Sequence, residues 1–228
     1  MCVPVVVVVF ANSTTPALAE VLFEDHFTNG MSEEWVSVKP VQWVEDGWLL
    51  SMADGSYGRD SYAFVHDGDT SWTDYELRLV ADSLPAPNHD NERGDIYFRT
   101  SEIVPSYFDP RGNYYRLHMI CRDPHGPTGI SLARRRVGVD EPVFLFDGPA
   151  PVTTEPAVVV ITLTGPRIQI SIDGTQVVDL IDPDPLLYGG VGVGAIWECL
   201  HRFDDVVVTS ASIPTEQTSW GQIKAMSR

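Results

Sequence analysis

Between residues 167 and 178 the chain alternates strictly. Ile168, Ile170 and Ile172 occupy every second position between Arg167, Gln169 and Ser171. A period of two places the isoleucines on one face of a β-strand and the polar residues on the other. Asp173-Gly174 supplies the positive φ angles of a tight turn, and a second strand returns through Val177 and Val178. Residues 41–48 read as another hairpin, turned at Asp46-Gly47. In residues 74–80, Tyr75, Leu77 and Leu79 alternate with Asp74, Glu76 and Arg78. Strands are also predicted over 23–27, 62–65, 95–99, 114–121, 129–137 and 142–146. Ile96 and Phe98 face inward in 95–99, and Tyr115, Leu117, Met119 and Cys121 do so in 114–121. The near-continuous apolar run 157–163 predicts a central strand, and a Gly-alternating strand (189–197) and a Val-rich one (203–208) close the pattern. Residues 86–93 and 101–112 read as loops. No stretch carries a convincing helical period apart from a short turn near the C-terminus, so the pattern predicts an all-β fold.

Composition fits that picture. The 228 residues include 18 Gly and 17 Pro, enough turn formers for many short strands in one large β-domain. With 15 basic and 32 acidic residues the formal net charge is −17. That balance argues against nucleic acid, whose phosphates need a basic footprint, and against anionic membrane surfaces. It is compatible with neutral sugars or with cations such as Ca²⁺. Residues 1–19 read as a secretory signal, with an apolar core at 5–10 and a small-x-small site at Ala17-Leu18-Ala19, although a basic leader segment is missing. The apolar run is too short to insert as a membrane span. The expected layout is a signal peptide over 1–19, a β-domain over 20–209 and a polar tail over 210–228, with the mature protein secreted. Cleavage discards Cys2, and Cys121 and Cys199 remain, either paired in an oxidising compartment or packed as two buried thiols.

Five short motifs occur in a telling order. They are Phe23-Glu24-Asp25-His26-Phe27 with Trp35, then Trp43 through Asp46-Gly47-Trp48-Leu49, then Asp74-Tyr75-Glu76-Leu77. Gly94 through Phe98-Arg99 and Phe203-Asp204-Asp205-Val206 complete the set. In this order the chain resembles the concanavalin A-like jelly rolls, in particular laminin-G-like modules and 3-keto-disaccharide hydrolase-like domains. The resemblance implies a sandwich of two antiparallel sheets and a task in glycan binding or glycan handling outside the cell. It also implies two alternatives: a glycoside hydrolase acting on a 3-keto-disaccharide or related glycoside, and an adhesion module that binds protein. The chain departs from the enzymes in two places. It lacks the Glu-x-Asp-x-x-Glu strand of the glucanases, and it has Glu92-Arg93-Gly94 where the hydrolase group has Asn-Ser-Gly.

Strand parity selects the candidate site. With Ile96, Phe98, Tyr115, Leu117 and Met119 in the core, Asp95, Tyr97, Arg99, Tyr114, Arg116 and His118 face outward, and Glu76 does so on its own strand. If these strands share the concave sheet, aromatic rings stack on sugar faces while ionisable groups hydrogen-bond hydroxyls. The same set reads equally as a solvated face laced with cross-strand ion pairs. Trp72 and Trp197 are candidate rim platforms, or core. His89 and His125 fall in polar loops. The resemblance further implies a structural Ca²⁺ between the opening and closing strands, held by Glu24, Asp25 and Asp205, with Asp204 as an alternative ligand; hard oxygen donors of this kind suit the ion.

Overall fold

Among the described residues, fifteen strands form two layers. A computed structural model describes residues 19–37, 42–52, 61–65, 72–84, 92–104, 111–121, 127–151, 156–196 and 200–211. The strands are β1 (Val21–Asp25), β2 (Trp35–Ser37), β3 (Gln42–Glu45), β4 (Trp48–Met52), β5 (Ser61–Val65), β6 (Tyr75–Leu84), β7 (Glu92–Val104), β8 (Arg111–Cys121), β9 (Pro127–Arg135), β10 (Val143–Gly148), β11 (Ala157–Thr164), β12 (Arg167–Ile172), β13 (Thr175–Ile181), β14 (Gly190–Ile196) and β15 (Leu200–Ser210). One sheet runs β13-β12-β11-β6-β15-β4-β3, with β1 also on β15; the other runs β10-β9-β8-β7-β14-β5-β2. The pairings are antiparallel. No helix of the described residues is long and apolar enough to cross a membrane.

The alternation produces this arrangement directly. Ile168, Ile170 and Ile172 are buried, as are Tyr75, Leu77 and Leu79, and they meet Ile96, Phe98, Tyr115 and Leu117 of the other sheet in one core. Both hairpin turns have positive φ at each central residue, Asp46 at 51° with Gly47 at 80° and Asp173 at 50° with Gly174 at 74°. That is the turn whose twist matches the flanking strands, which is why Asp-Gly is favoured there. β11 is central, but its second face is only half-buried, so the apolar run at 157–163 encodes an alternating strand after all.

Two loop expectations are corrected. Strand β7 begins at Glu92, inside the expected loop 86–93. Residues 101–104 belong to β7, and β8 begins at Arg111. Two bulges let β7 continue: Arg99 and Glu102 have φ of 49° and 56°, and the pairing with β8 shifts register at both places. Each bulge adds an unpaired residue and bends the strand without ending it. Residues 1–18, the tail beyond Ala211, His89, His125, Trp197, Cys199 and the side chain of Cys121 lie outside the described residues. The leader, the tail, the cysteine pairing and those site expectations are therefore carried by sequence alone.

Candidate functional site

Register places the outward residues of the seven-stranded sheet in rows, because directly paired residues share a face. One row reads Asp147, Ser131, His118, Asp95, Gly194, Tyr62 across β10, β9, β8, β7, β14 and β5. The next reads Phe144, Ala133, Arg116, Tyr97, Gly192, Phe64 and then Val36 on β2. Asp95, Tyr97, Tyr114, Arg116 and His118 thus share the outward face.

The two halves of these rows differ. Toward β5 the face is sealed. Tyr62, Phe64, Tyr97 and Tyr114 are at most 1% exposed and form a second apolar cluster with Ile103. Ring centroids lie 5.1 Å apart for Phe64 and Tyr97, and 5.3 Å for Tyr97 and Tyr114, both edge-on. This packing requires Gly192 and Gly194. A Cβ on Gly192 would sit 2.3 Å from Phe64 Cδ1, and one on Gly194 would sit 2.5 Å from the Ser61 carbonyl oxygen. The alternation of Val and Gly in β14 therefore has a packing cause, with valines filling the core and glycines leaving room for rings from β5.

Toward β10 the face is polar. Asp95 is fully buried; its Oδ1 accepts from His118 Nδ1 and its Oδ2 accepts the Tyr97 hydroxyl at 2.9 Å. Burial pushes the Asp95 carboxyl up, but the charges of His118 and Arg116 and the hydrogen bonds from His118 and Tyr97 outweigh it, so its pKa lies below the ordinary carboxylate value. The carboxylate is an acceptor only, so Nδ1 carries the proton of that pair. On the core side of β7, the His201 ring lies against Gly94, where a Cβ would come within 2.5 Å of His201 Nδ1. Burial depresses that imidazole to about 4. At the edge, Phe144 is 64% exposed and Asp147 is exposed, with Ser131 between Asp147 and His118. The sequence reading missed these three. Residues 142–146 were legible as a strand, but the register shift between Phe144 and Phe146 conceals which of the two rings faces outward.

Two predicted residues lie elsewhere. Glu76 is on β6, in the eight-stranded sheet, where its carboxylate accepts from Thr162 at 3.3 Å. Alternation gave its face but not its sheet. Arg99 is the bulged residue of β7, and its guanidinium turns away from the outward face. It donates to the carbonyls of Gly165 at 2.7 Å, Thr73 at 3.0 Å and Leu186, closing one end of the sandwich. Its positive φ breaks the parity that the sequence reading assumed. Trp72 is a partly buried core residue, edge-on to Tyr75 at 6.1 Å.

The residues read as Ca²⁺ ligands are engaged with partners within the chain. Asp25 is buried, and both of its oxygens face N–H donors: Phe27 N at 2.8 Å on Oδ1, and Ser32 N and Trp35 Nε1, each at 2.9 Å, on Oδ2. Asp205 Oδ1 pairs with His26 Nδ1 at 2.7 Å, and that bond is the main reason the exposed His26 titrates above its ordinary value. Glu24 reaches His26 Nε2 only at 3.9 Å. Among the described residues, no group of three or more His, Cys, Asp or Glu side chains is arranged to hold a metal.

No family model matches the sequence, and no curated protein matches it. Solved structures do share its architecture. A carbohydrate-binding module, CBM66 from Bacillus subtilis, is 16% identical, covers 79% of this chain and 99% of its own, and has a TM-score of 0.59. The catalytic domain of an endo-1,3-β-glucanase (laminarinase) from Thermotoga petrophila is 9% identical over 84% of this chain and 98% of its own, with a TM-score of 0.59. The carbohydrate recognition domain of Emp47p is 11% identical over 83% and 93%, with a TM-score of 0.55. At these identities the likeness is one of fold, and that fold, two antiparallel sheets closed face to face over one core, is the concanavalin A-like jelly roll.

Proposed function

We propose that the chain binds a neutral carbohydrate at the β8–β10 side of the outward face of its seven-stranded sheet. The observation that carries the reading is the exposed ring of Phe144, which shares that face with the exposed Asp147 and with Arg116, His118 and Ser131, each at most 8% exposed. An exposed aromatic offers an apolar platform to the C–H face of a sugar, and fixed polar groups beside it select hydroxyl positions. The stacking role expected of Tyr97 and Tyr114 passes to Phe144, because those two rings are sealed within the second cluster. Three of the similar structures are named as a carbohydrate-binding module, a carbohydrate recognition domain and a glucanase, which supports a sugar as the ligand class.

Hydrolysis is less well supported. Glycosidases that retain or invert configuration set two carboxyls about 5 Å or about 6.5–9.5 Å apart. Asp95 and Asp147 share a row but stand three strands apart, roughly 14 Å at the usual strand spacing. A glycan array with the chain from Glu20, repeated with Phe144→Ala and Asp147→Ala, tests the proposal. Specific signals that fall at least tenfold in Phe144→Ala support it. An array with no signal for the wild type overturns it.

A further inference from the structure

The connector between β13 and β14, residues 182–189, is held far more firmly than its length requires. Asp182 accepts from Arg134 and, at 2.7 Å, from the Tyr115 hydroxyl, and that same hydroxyl accepts the Leu186 N–H at 2.9 Å. Arg136 grips Asp184 at 2.9 Å and the Pro185 carbonyl at 3.1 Å. Arg99 donates to the Leu186 carbonyl, and the Gly189 N–H donates to Trp72 O at 3.0 Å. These bonds close one end of the sandwich. They do not account for the two residues presented at the tip, since Leu187 and Tyr188 are 49% and 56% exposed.

Beside them lies a cleft of about 160 Å³, bounded by Ser101, Asn113, Arg136, Leu186, Leu187 and Tyr188. It is smaller than the roughly 300–1,000 Å³ of pockets for drug-sized ligands, so it suits a single ring. Its polar wall is fixed in place. Asn113 Nδ2 donates to Ser101 Oγ at 3.2 Å and to Glu102 Oε1 at 3.4 Å, while Asn113 Oδ1 accepts the Val137 N–H at 2.9 Å. Ser101 Oγ, already an acceptor, keeps its proton for another partner. The Arg136 charge is matched by Asp184, so the wall offers no uncompensated cation for an acidic ligand.

We propose that this cleft is a second carbohydrate subsite that takes one neutral sugar ring against Tyr188. Neither the cleft nor its argument uses any residue of the Phe144 rim. A rigid loop presenting an exposed phenol loses little freedom on binding, which is the condition under which a small contact area gives measurable affinity.

The test is calorimetric titration of the chain from Glu20 with glucose, galactose, mannose, fructose, xylose and N-acetylglucosamine. Wild type, Tyr188→Ala, Leu187→Ser and Phe144→Ala are compared. The expected result is at least one sugar that binds wild type and Phe144→Ala alike and binds Tyr188→Ala at least tenfold more weakly. All four proteins should melt together, because the substituted side chains are exposed. If Tyr188→Ala melts lower, Leu187→Ser carries the comparison and must weaken the same sugar. The subsite is overturned if none of the six sugars binds wild type, or if those that bind do so equally well to both loop variants. Loss in Phe144→Ala alone would assign binding to the rim and overturn the subsite, leaving the proposed function standing.

Discussion

The outward face of one sheet behaves as two surfaces. Toward β5, glycines on β14 let Tyr62 and Phe64 fold down beside Tyr97 and Tyr114, and the face becomes a second small core. Toward β10, the same rows carry His118, Arg116, Ser131 and Asp147 and end on an exposed Phe144. The strands have one periodicity and one register throughout. What differs is side-chain size on a single central strand. A face that alternation marks as outward is not thereby a solvent face: His118, Arg116 and Ser131 are at most 8% exposed, and the face opens only at Phe144 and Asp147 on the β10 edge, where binding is proposed.

Substitutions in the sealed half should cost the most. Phe64→Ala and Tyr97→Ala each remove a fully buried ring and should destabilise by about 3–5 kcal/mol in chemical denaturation. A loss below about 1 kcal/mol would mean that the second cluster is not packed as described. Next comes acid. His201 falls from 6.5 to about 4 on folding, so the unfolded chain binds the extra proton between those values. Stability is therefore lost as pH drops from 6.5 toward 4, by on the order of 3 kcal/mol for a shift of about 2.5 units. The Asp95 carboxyl is shifted the other way relative to its charged form: depressed on folding, it stabilises above its unfolded value and gives that up in stronger acid. Melting followed from pH 7 to pH 4 should show the first loss, and His201→Gln should flatten it. An unchanged slope in that variant would assign the loss elsewhere.

Smaller effects sharpen the contrast. Gly192→Ala should destabilise by about 1–3 kcal/mol through overpacking against Phe64, although alanine is an ordinary strand residue. Asp25→Ala should cost about 1–3 kcal/mol by stranding the donors of Phe27, Ser32 and Trp35. A cost that is the same in Ca²⁺ as in chelator would count against the cation reading; a Ca²⁺-dependent difference in melting would support it. At the rim, Phe144→Ala and Asp147→Ala should leave stability within about 0.5 kcal/mol, as surface substitutions do.

The strand pattern was legible because period two and the Asp-Gly turns are local signals. Ile168 to Ile172, Tyr75 to Leu79 and both hairpins follow from them. The face of Asp95, Tyr97, Tyr114, Arg116 and His118 was legible for the same reason. What was not legible depends on long-range pairing. Nothing local says that Glu76 lies in the opposite sheet, since sheet membership is set by partners such as Thr162 far along the chain. Nothing local marks Arg99 as a bulge, because its positive φ arises where β7 is held between β8 and β14. The burial of Tyr97 and the outward turn of Phe144 likewise depend on neighbouring strands, through Gly192 in one case and the shift beside Leu145 in the other.

The most direct test is a paired titration. The strongest glycan from an array is titrated into wild type, Phe144→Ala and Tyr97→Phe, and the melting of each protein is recorded in the same buffer. Tyr97→Phe keeps the buried ring and removes the hydroxyl that bonds Asp95. The account predicts that Phe144→Ala melts like wild type and binds ten- to a hundredfold more weakly, the loss of one stacking contact, about 1–3 kcal/mol. It predicts that Tyr97→Phe melts lower and binds within about threefold of wild type, since a shift that small is under 1 kcal/mol. Full-strength binding by Phe144→Ala, or lost binding with unchanged melting in Tyr97→Phe, would contradict the division of the face into a sealed half and a proposed binding edge at Phe144.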